Sequence, residues 1–271
     1  MIAITLSTLQ AGLVILLALL GFVLGRWFSR RPGRYWLVGY FLPLAVVGLV
    51  AIPRWVSRFE IVPPFDWIMS GRTEAVLMAV VASTLLSTPL SRLPQPRQRH
   101  SVIVFTCFFV GYISVLPFLL PALQQPYFLT LKTTIDRSGV CRQSNNYNCG
   151  PASAVTALRN MGVMAEEGVL AIEAKTNFIS GTDPDLLSTG IKRAYGVECQ
   201  RAFFNEPLEL KGKEPCIALI KYALMVDHYV TVLSVTDKEI VVGDPLTGRR
   251  VFSHIEFEKI WRKNAILLHR I

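Results

Sequence analysis

The chain lacks charged side chains over four long stretches. Residues 1–25, 35–53, 75–91 and 101–131 contain no Asp, Glu, Lys or Arg. A helix that spans a bilayer needs about 20 largely apolar residues, and 52% of the 271 residues are hydrophobic, with a mean hydropathy of +0.42. The sequence therefore predicts a multi-pass membrane protein whose N-terminal part is an all-α bundle of about four transmembrane helices.

The sequence also lacks motifs for nucleotide and metal binding, which excludes further classes of function. The sequence contains no G-x-x-x-x-G-K-[ST] loop, which excludes an ATP-driven transporter of the P-loop class within this chain. It contains no CxxC pair and no Cys/His spacing typical of zinc ligands, so no metal site is predicted. We find no internal repeat and no low-complexity tract. No metal or organic cofactor is expected.

The net charge of +9 is distributed unevenly. Residues 1–123 hold ten arginines and three acidic residues, whereas residues 124–271 hold eighteen basic and sixteen acidic residues. The excess thus belongs to the loops between apolar stretches, and we expect no nucleic-acid partner. Arginine is concentrated in the first loop (residues 26–34) and the third loop (residues 92–99), and positive residues favour the cytoplasmic side. The N-terminus and the C-terminal domain are then predicted outside, in the periplasm or the extracellular space of a bacterium with this protein in its inner membrane.

The first apolar stretch is predicted to be a retained helix. Residues 1–10 lack the basic region that begins a signal peptide, and Arg26 follows the apolar stretch directly. Gly21 and Gly25 have the small-residue spacing that lets membrane helices approach closely.

Residues 124–271 are predicted to form an α+β domain, with 1–123 as the membrane domain. Helices are expected from Cys149, near residues 165–174, and after the N-cap residue Asp183, where proline follows in the first turn. Extended segments follow, with one late helix at residues 253–261. The predicted strands are 198–204, 215–221, 228–235, 239–242, 249–252 and 265–270.

Cys149 opens the segment Cys-Gly-Pro-Ala-Ser-Ala, which is typical of a helix start. The sulfur would face the N–H groups and the positive dipole end of that helix, which favour a thiolate. A cysteine beside alanines is more often a small core residue. The other candidate residues in the same domain favour the nucleophile.

His228 begins a predicted strand, and Asp244 ends a second strand sixteen residues later. Adjacent antiparallel strands would bring the two side chains together. The imidazole could then act as the general base for Cys149, while Asp244 fixes its tautomer and orientation. The competing interpretation of Asp244 is an Asp-Pro turn residue. Gln143 precedes Cys149 by six residues, and its amide could donate to an oxyanion together with the Cys149 N–H.

These residues resemble the papain-like, bacteriocin-processing cysteine peptidases that form N-terminal domains of double-glycine-leader ABC exporters. The resemblance covers roughly the last half of the chain. It rests on Gln143 followed by Cys-Gly-Pro-Ala at 149–152, on Asp-His-Tyr-Val-Thr-Val at 227–232, and on Gly-Asp-Pro at 243–245. It implies Cys149 as nucleophile, His228 as base, Asp244 as orienting residue and Gln143 as oxyanion donor. Asn148 stands where many relatives have an aspartate.

The uncharged stretches and the resemblance together predict a membrane-anchored, stand-alone cysteine endopeptidase. The resemblance implies that it cleaves a peptide or protein, after a Gly-Gly leader if the family's specificity holds. Two alternatives stay open: a non-catalytic peptide-binding module of an export system, and an acyltransferase or amidase that uses the same triad. The expected partners are the substrate, the lipid bilayer and a separate transporter. Exporter-linked relatives work in the cytoplasm, so a cytoplasmic catalytic domain is the alternative location. Whether Cys141, Cys199 and Cys216 form a disulfide is open.

Overall fold

The computed structural model describes residues 2–223 and 226–269. Contacts divide the chain into two compact units. The first consists of Met1–Trp55 and Trp67–Leu123, and the second of Val56–Asp66 and Gln124–Ile271.

Helices make up the N-terminal part of the chain. They are α1 (Ile2–Ser29), α2 (Val38–Trp55), α3 (Phe65–Met69), α4 (Thr73–Ser87), α5 (Pro96–Val110) and α6 (Leu116–Leu129), with 3₁₀ turns at Tyr35–Leu37 and Ser57–Ile61. A π-helical turn, Gly111–Val115, joins α5 to α6 into one uninterrupted helical stretch, Pro96–Leu129. The wider turn lies next to Pro117, which lacks the N–H that a regular α-helix would use there.

Three helical stretches are long and apolar enough to cross a membrane: Leu6–Ser29, Tyr35–Pro53 and Pro96–Leu129. The third predicted span forms an apolar helix, α4, but α4 has 15 residues. At 1.5 Å per residue it measures about 22 Å, shorter than the roughly 30 Å hydrocarbon core of a bilayer. By length and composition, the described residues therefore contain three candidate spans and one shorter apolar helix.

Helix α4 packs closely against α1. A Cβ atom at Gly21 would lie 2.7 Å from the carbonyl oxygen of Val80, and one at Gly25 would overlap Ser87. The hydroxyl of Thr84 donates to the Gly21 carbonyl at 3.1 Å. The two glycines thus permit a backbone approach that any side chain would block, as their spacing suggested.

In the second unit most helices precede the strands of the large sheet, which confirms the α+β class. After the short strands β1 (Thr134–Ile135) and β2 (Cys141–Arg142) come three helices, six strands, a 3₁₀ turn (Pro207–Leu210) and one late helix among the described residues. The helices are α7 (Cys149–Asn160), α8 (Glu167–Glu173), α9 (Pro184–Tyr195) and α10 (His254–Ile260). The strands are β3 (Glu198–Phe203), β4 (Cys216–Ala223), β5 (Val226–Val235), β6 (Glu239–Asp244), β7 (Gly248–Ser253) and β8 (Trp261–His269).

Each predicted strand is present, although Arg270, the predicted end of the last one, lies outside the described residues. The Asp183 side chain accepts hydrogen bonds from the N–H groups of Asp185 and Leu186, as expected of the N-cap of α9.

Strands β3 to β8 form one antiparallel sheet in the order β3-β8-β4-β5-β6-β7. Helices α7, α8 and α9 share a hydrophobic core with one face, and α10 packs on the other. Because both faces of β4 are covered, Cys216–Ile220 are buried without alternation. The Thr231 hydroxyl on β5 donates to the Ser153 carbonyl on α7 at 2.7 Å, which fixes the helix over the sheet.

The register of β5 positions the site. Thr231 pairs with Gly243, so β6 ends at Asp244 beside the middle of β5. The first residues of β5 extend past that end and pair with β4, where His228 lies opposite Ile220. One side of His228 is therefore free of a neighbouring strand, while Asp244 lies within reach.

Candidate active site

His228 and Asp244 are hydrogen-bonded to each other and almost fully buried. His228 Nε2 lies 2.8 Å from Asp244 Oδ1, and the two residues are 5% and 4% exposed. Asp244 also accepts hydrogen bonds from the Leu246 N–H and the Thr247 hydroxyl, at 2.8 and 2.7 Å. The carboxylate therefore accepts hydrogen bonds within the Asp-Pro turn and is also hydrogen-bonded to the imidazole ring.

Cys149 is the first residue of α7, as the sequence predicts. Its thiol is partly exposed and lies close enough to the His228 side chain to raise the pKa of the imidazole. Since Asp244 occupies Nε2 of the ring, Nδ1 is the nitrogen left for the sulfur. The Asn148 side chain does not cap the helix, so it leaves the first N–H groups of α7 uncovered beside the thiol.

The electrostatics of the three side chains favour an imidazolium. Burial alone lowers the pKa of His228, but hydrogen bonds to Asp244 and Cys149, together with their negative charges, outweigh it and raise the pKa from 6.5 to about 9. Burial raises the pKa of Asp244, yet the hydrogen bonds from His228, Thr247 and Leu246 lower it to about 2. At neutral pH the imidazolium of His228 thus faces an ionised Asp244 carboxylate.

Gln143 lies in the loop beside the same residues. Its backbone N–H donates to the Pro245 carbonyl at 3.2 Å, which holds the loop against the turn that follows Asp244. Its side-chain nitrogen donates to the Asn145 carbonyl at 2.6 Å. An amide nitrogen carries two hydrogens, so one donor remains.

Glu167 is a residue that the sequence did not reveal. Its carboxylate is fully buried at the start of α8 and accepts hydrogen bonds from the loop that carries Gln143 and Cys149. The Ser144 N–H and hydroxyl donate at 2.9 and 2.6 Å, and the Asn148 side chain donates at 2.9 Å. Nothing in the local sequence distinguishes this glutamate from a solvated one, because its donors come from residues about twenty positions away.

All five cysteines are free thiols, so the structure contains no disulfide between Cys141, Cys199 and Cys216. Burial raises the pKa of each of these three thiols to about 12. Buried protonated thiols are chemically inert. Among the described residues, no cluster of three His, Cys, Asp or Glu side chains is placed to bind a metal ion.

Comparison with known proteins gives the family. The model of the peptidase C39 family matches residues 137–270, which include all four candidate residues. An uncharacterised protein of Methanothermobacter marburgensis is 34% identical over 140 residues, which are 52% of this chain and 94% of that protein. The chain belongs to the peptidase C39 family. Residues 137–270 are the C39 part of the chain.

Two solved structures are similar to the C39 part. The peptidase domain of Streptococcus ComA, described as a bifunctional ABC transporter involved in quorum sensing, is 22% identical with a TM-score of 0.46. The comparison covers 50% of this chain and 100% of that domain. A double-glycine-motif protease from an AMS/PCAT transporter, solved with its leader peptide, is 20% identical with a TM-score of 0.44 and is covered completely by 52% of this chain.

Proposed function

We propose that this chain is a membrane-anchored cysteine endopeptidase with Cys149 as nucleophile, His228 as acid and base, and Asp244 as orienting residue. The observation that carries the proposal is the contact of a helix-start thiol with an imidazole whose other nitrogen is bound by a buried carboxylate. Such an arrangement activates a thiol for attack on a carbonyl carbon.

The reaction follows from these positions. The Cys149 thiolate attacks the scissile carbonyl carbon, and the new oxyanion accepts hydrogen bonds from the Cys149 N–H and the remaining N–H of the Gln143 amide. His228 gives its Nδ1 proton to the leaving amine, and the C–N bond breaks to leave a thioester. Water, deprotonated by His228, then hydrolyses the thioester and regenerates the thiolate.

The proposed substrate is a peptide with a Gly-Gly leader. This proposal draws on the family and on the similar protease that was solved with a leader peptide. A non-catalytic peptide-binding module would not need the raised pKa of His228.

We further propose that residues 1–123 anchor residues 124–271 to the membrane. The 3₁₀ turn Ser57–Ile61, which follows α2, packs against β3 and β8 within the second compact unit. The segment after α2 and the catalytic domain then lie on one side of the bilayer, which requires an even number of crossings between them. In this proposal helix α4 crosses together with Pro96–Leu129, and local thinning of the bilayer accommodates its short length.

The orientation in this proposal follows from the arginines. Four crossings place the first and third loops, which are rich in arginine, on the side opposite the catalytic domain. Because such loops favour the cytoplasm, the catalytic domain faces the periplasm or the exterior.

Alkylation and product analysis on the full-length protein in detergent test the enzymatic proposal. Iodoacetamide at pH 6 should label Cys149 equally fast in wild type and in Cys199→Ala. In Cys149→Ala this label should be absent. Without alkylation, wild type and Cys199→Ala should both cleave a Gly-Gly peptide, and Cys149→Ala should not. In ¹⁸O-water one ¹⁸O should enter the new carboxyl terminus. Wild-type turnover in Cys149→Ala would refute the proposed nucleophile, and amide products without ¹⁸O would favour an acyltransferase.

A further inference from the structure

A groove of about 500 Å³ lies beside His228 and Asp244, on the face of the sheet that carries α10. Both of these residues line it, and Cys149 does not. Strands β4 and β7 and helix α10 supply the other walls. Apolar side chains line part of the groove, among them Phe252 and Ile260.

The polar lining of the groove is mainly cationic. Lys221, Arg250 and Lys259 contribute three positive charges. The carboxylates are those of Glu256 and of Asp244, which contacts both His228 and Arg250. All three cationic residues are exposed. The groove therefore has an apolar wall and a net positive rim.

Arg250, one of the cationic residues of the rim, packs on Phe252 of the apolar wall. Its guanidinium lies over the Phe252 ring, 4.5 Å from the centroid, and its Nη1 is 3.8 Å from Asp244 Oδ2. The stacking holds the guanidinium at the groove while 45% of the side chain stays exposed. A carboxylate in the groove could bind this fork in two hydrogen bonds.

The chemistry of the proposed reaction indicates which side of the scissile bond lies in the groove. The acyl side of the substrate becomes bonded to Cys149, whereas the leaving amine must receive its proton from His228. The peptide on the leaving side therefore continues past the imidazole, away from the sulfur. A groove lined by His228 but not by Cys149 lies on that side.

We propose that this groove binds the first three residues after the scissile bond and selects acidic side chains there. The proposal rests on the proposed peptidase function and adds a specificity that Gly-Gly recognition does not contain. Its physical basis is charge complementarity: the three cationic side chains favour a carboxylate and disfavour a lysine or arginine at the same position.

Two peptides that differ only at these three positions test the proposal, one with glutamates and one with lysines after Gly-Gly. We expect the full-length wild-type protein to cleave the acidic peptide with about tenfold higher kcat/KM, since each exposed charge pair contributes modestly. The difference should shrink in high salt. Lys221→Glu combined with Lys259→Glu should reverse the preference. Lys238→Glu, the matched control on the turn between β5 and β6, should leave it unchanged.

Binding of both peptides to Cys149→Ala, measured by fluorescence anisotropy, provides a second measurement that does not depend on turnover. Tighter binding of the acidic peptide, weakened by the double charge reversal, supports the groove. Cleavage or binding of the two peptides at equal strength refutes the groove and leaves the peptidase function intact. Failure of wild type to cleave either peptide, together with absence of binding to Cys149→Ala, overturns both proposals.

Discussion

Replacement of Asp244 by asparagine should move the alkaline limit of activity. The pKa of His228 is raised from 6.5 to about 9, which corresponds to roughly 3 kcal/mol in favour of the imidazolium at about 1.4 kcal/mol per unit. Burial opposes this shift, so it depends on the hydrogen bond and charge of Asp244 and on Cys149. Asparagine keeps an acceptor for Nε2 but removes the charge.

The neighbour Arg250 strengthens the expected effect. Its guanidinium lies 3.8 Å from the Asp244 carboxylate, and with asparagine in that position its positive charge would face the imidazolium uncompensated. We therefore expect the pKa of His228 to fall by at least about one unit in Asp244→Asn. Since only the imidazolium can protonate the leaving amine, the alkaline limb of kcat/KM should fall with it.

The assay is kcat/KM for a Gly-Gly peptide between pH 5 and pH 10.5, expected to give a wild-type alkaline limb near 9. At pH 6 the variant should lose much less activity than Cys149→Ala, because a neutral amide still orients the ring. Asp227→Asn is the matched control. Asp227 precedes His228 in the sequence, but its carboxylate binds Arg262 at 2.7 Å and not the His228 ring. An alkaline limb that stays in place in Asp244→Asn would show that another group holds the imidazolium.

Two further predictions concern the loop and the topology. Glu167→Ala should destabilise the catalytic domain by about 3 to 5 kcal/mol, measured by thermal unfolding, because it leaves the buried donors of Ser144 and Asn148 unpaired. Glu167→Gln should unfold at a temperature closer to that of wild type, yet its kcat should be lower. Gln143→Ala should lower kcat about 10²- to 10³-fold without a loss of stability. Normal kcat in Gln143→Ala would remove Gln143 from the mechanism, and normal kcat in Glu167→Gln would show that the charge of Glu167 does not position the loop. A C-terminal alkaline phosphatase fusion should be active, a green fluorescent protein fusion should be dark, and external protease should digest the catalytic domain in spheroplasts. The opposite pattern would place the catalytic domain in the cytoplasm.

The sequence determined those features that depend on neighbouring residues along the chain. Uncharged stretches predicted the apolar helices, since the hydrophobic length of a helix is a local property. The Cys-Gly-Pro-Ala segment predicted the start of α7, and the spacing of β-branched runs predicted each strand of the sheet. The pairing of His228 with Asp244 followed from two strands joined by a tight turn, which are almost always adjacent.

Only the tertiary structure decided which distant residues share a site. The last strand, β8, lies between β3 and β4, and no local pattern encodes that order. The burial of Glu167 depends on donors from the loop before α7, and the cationic groove combines side chains from β4, β7 and α10. Local sequence sets backbone preferences and hydrophobic periodicity, whereas burial and electrostatic environment arise from packing between segments far apart in the chain.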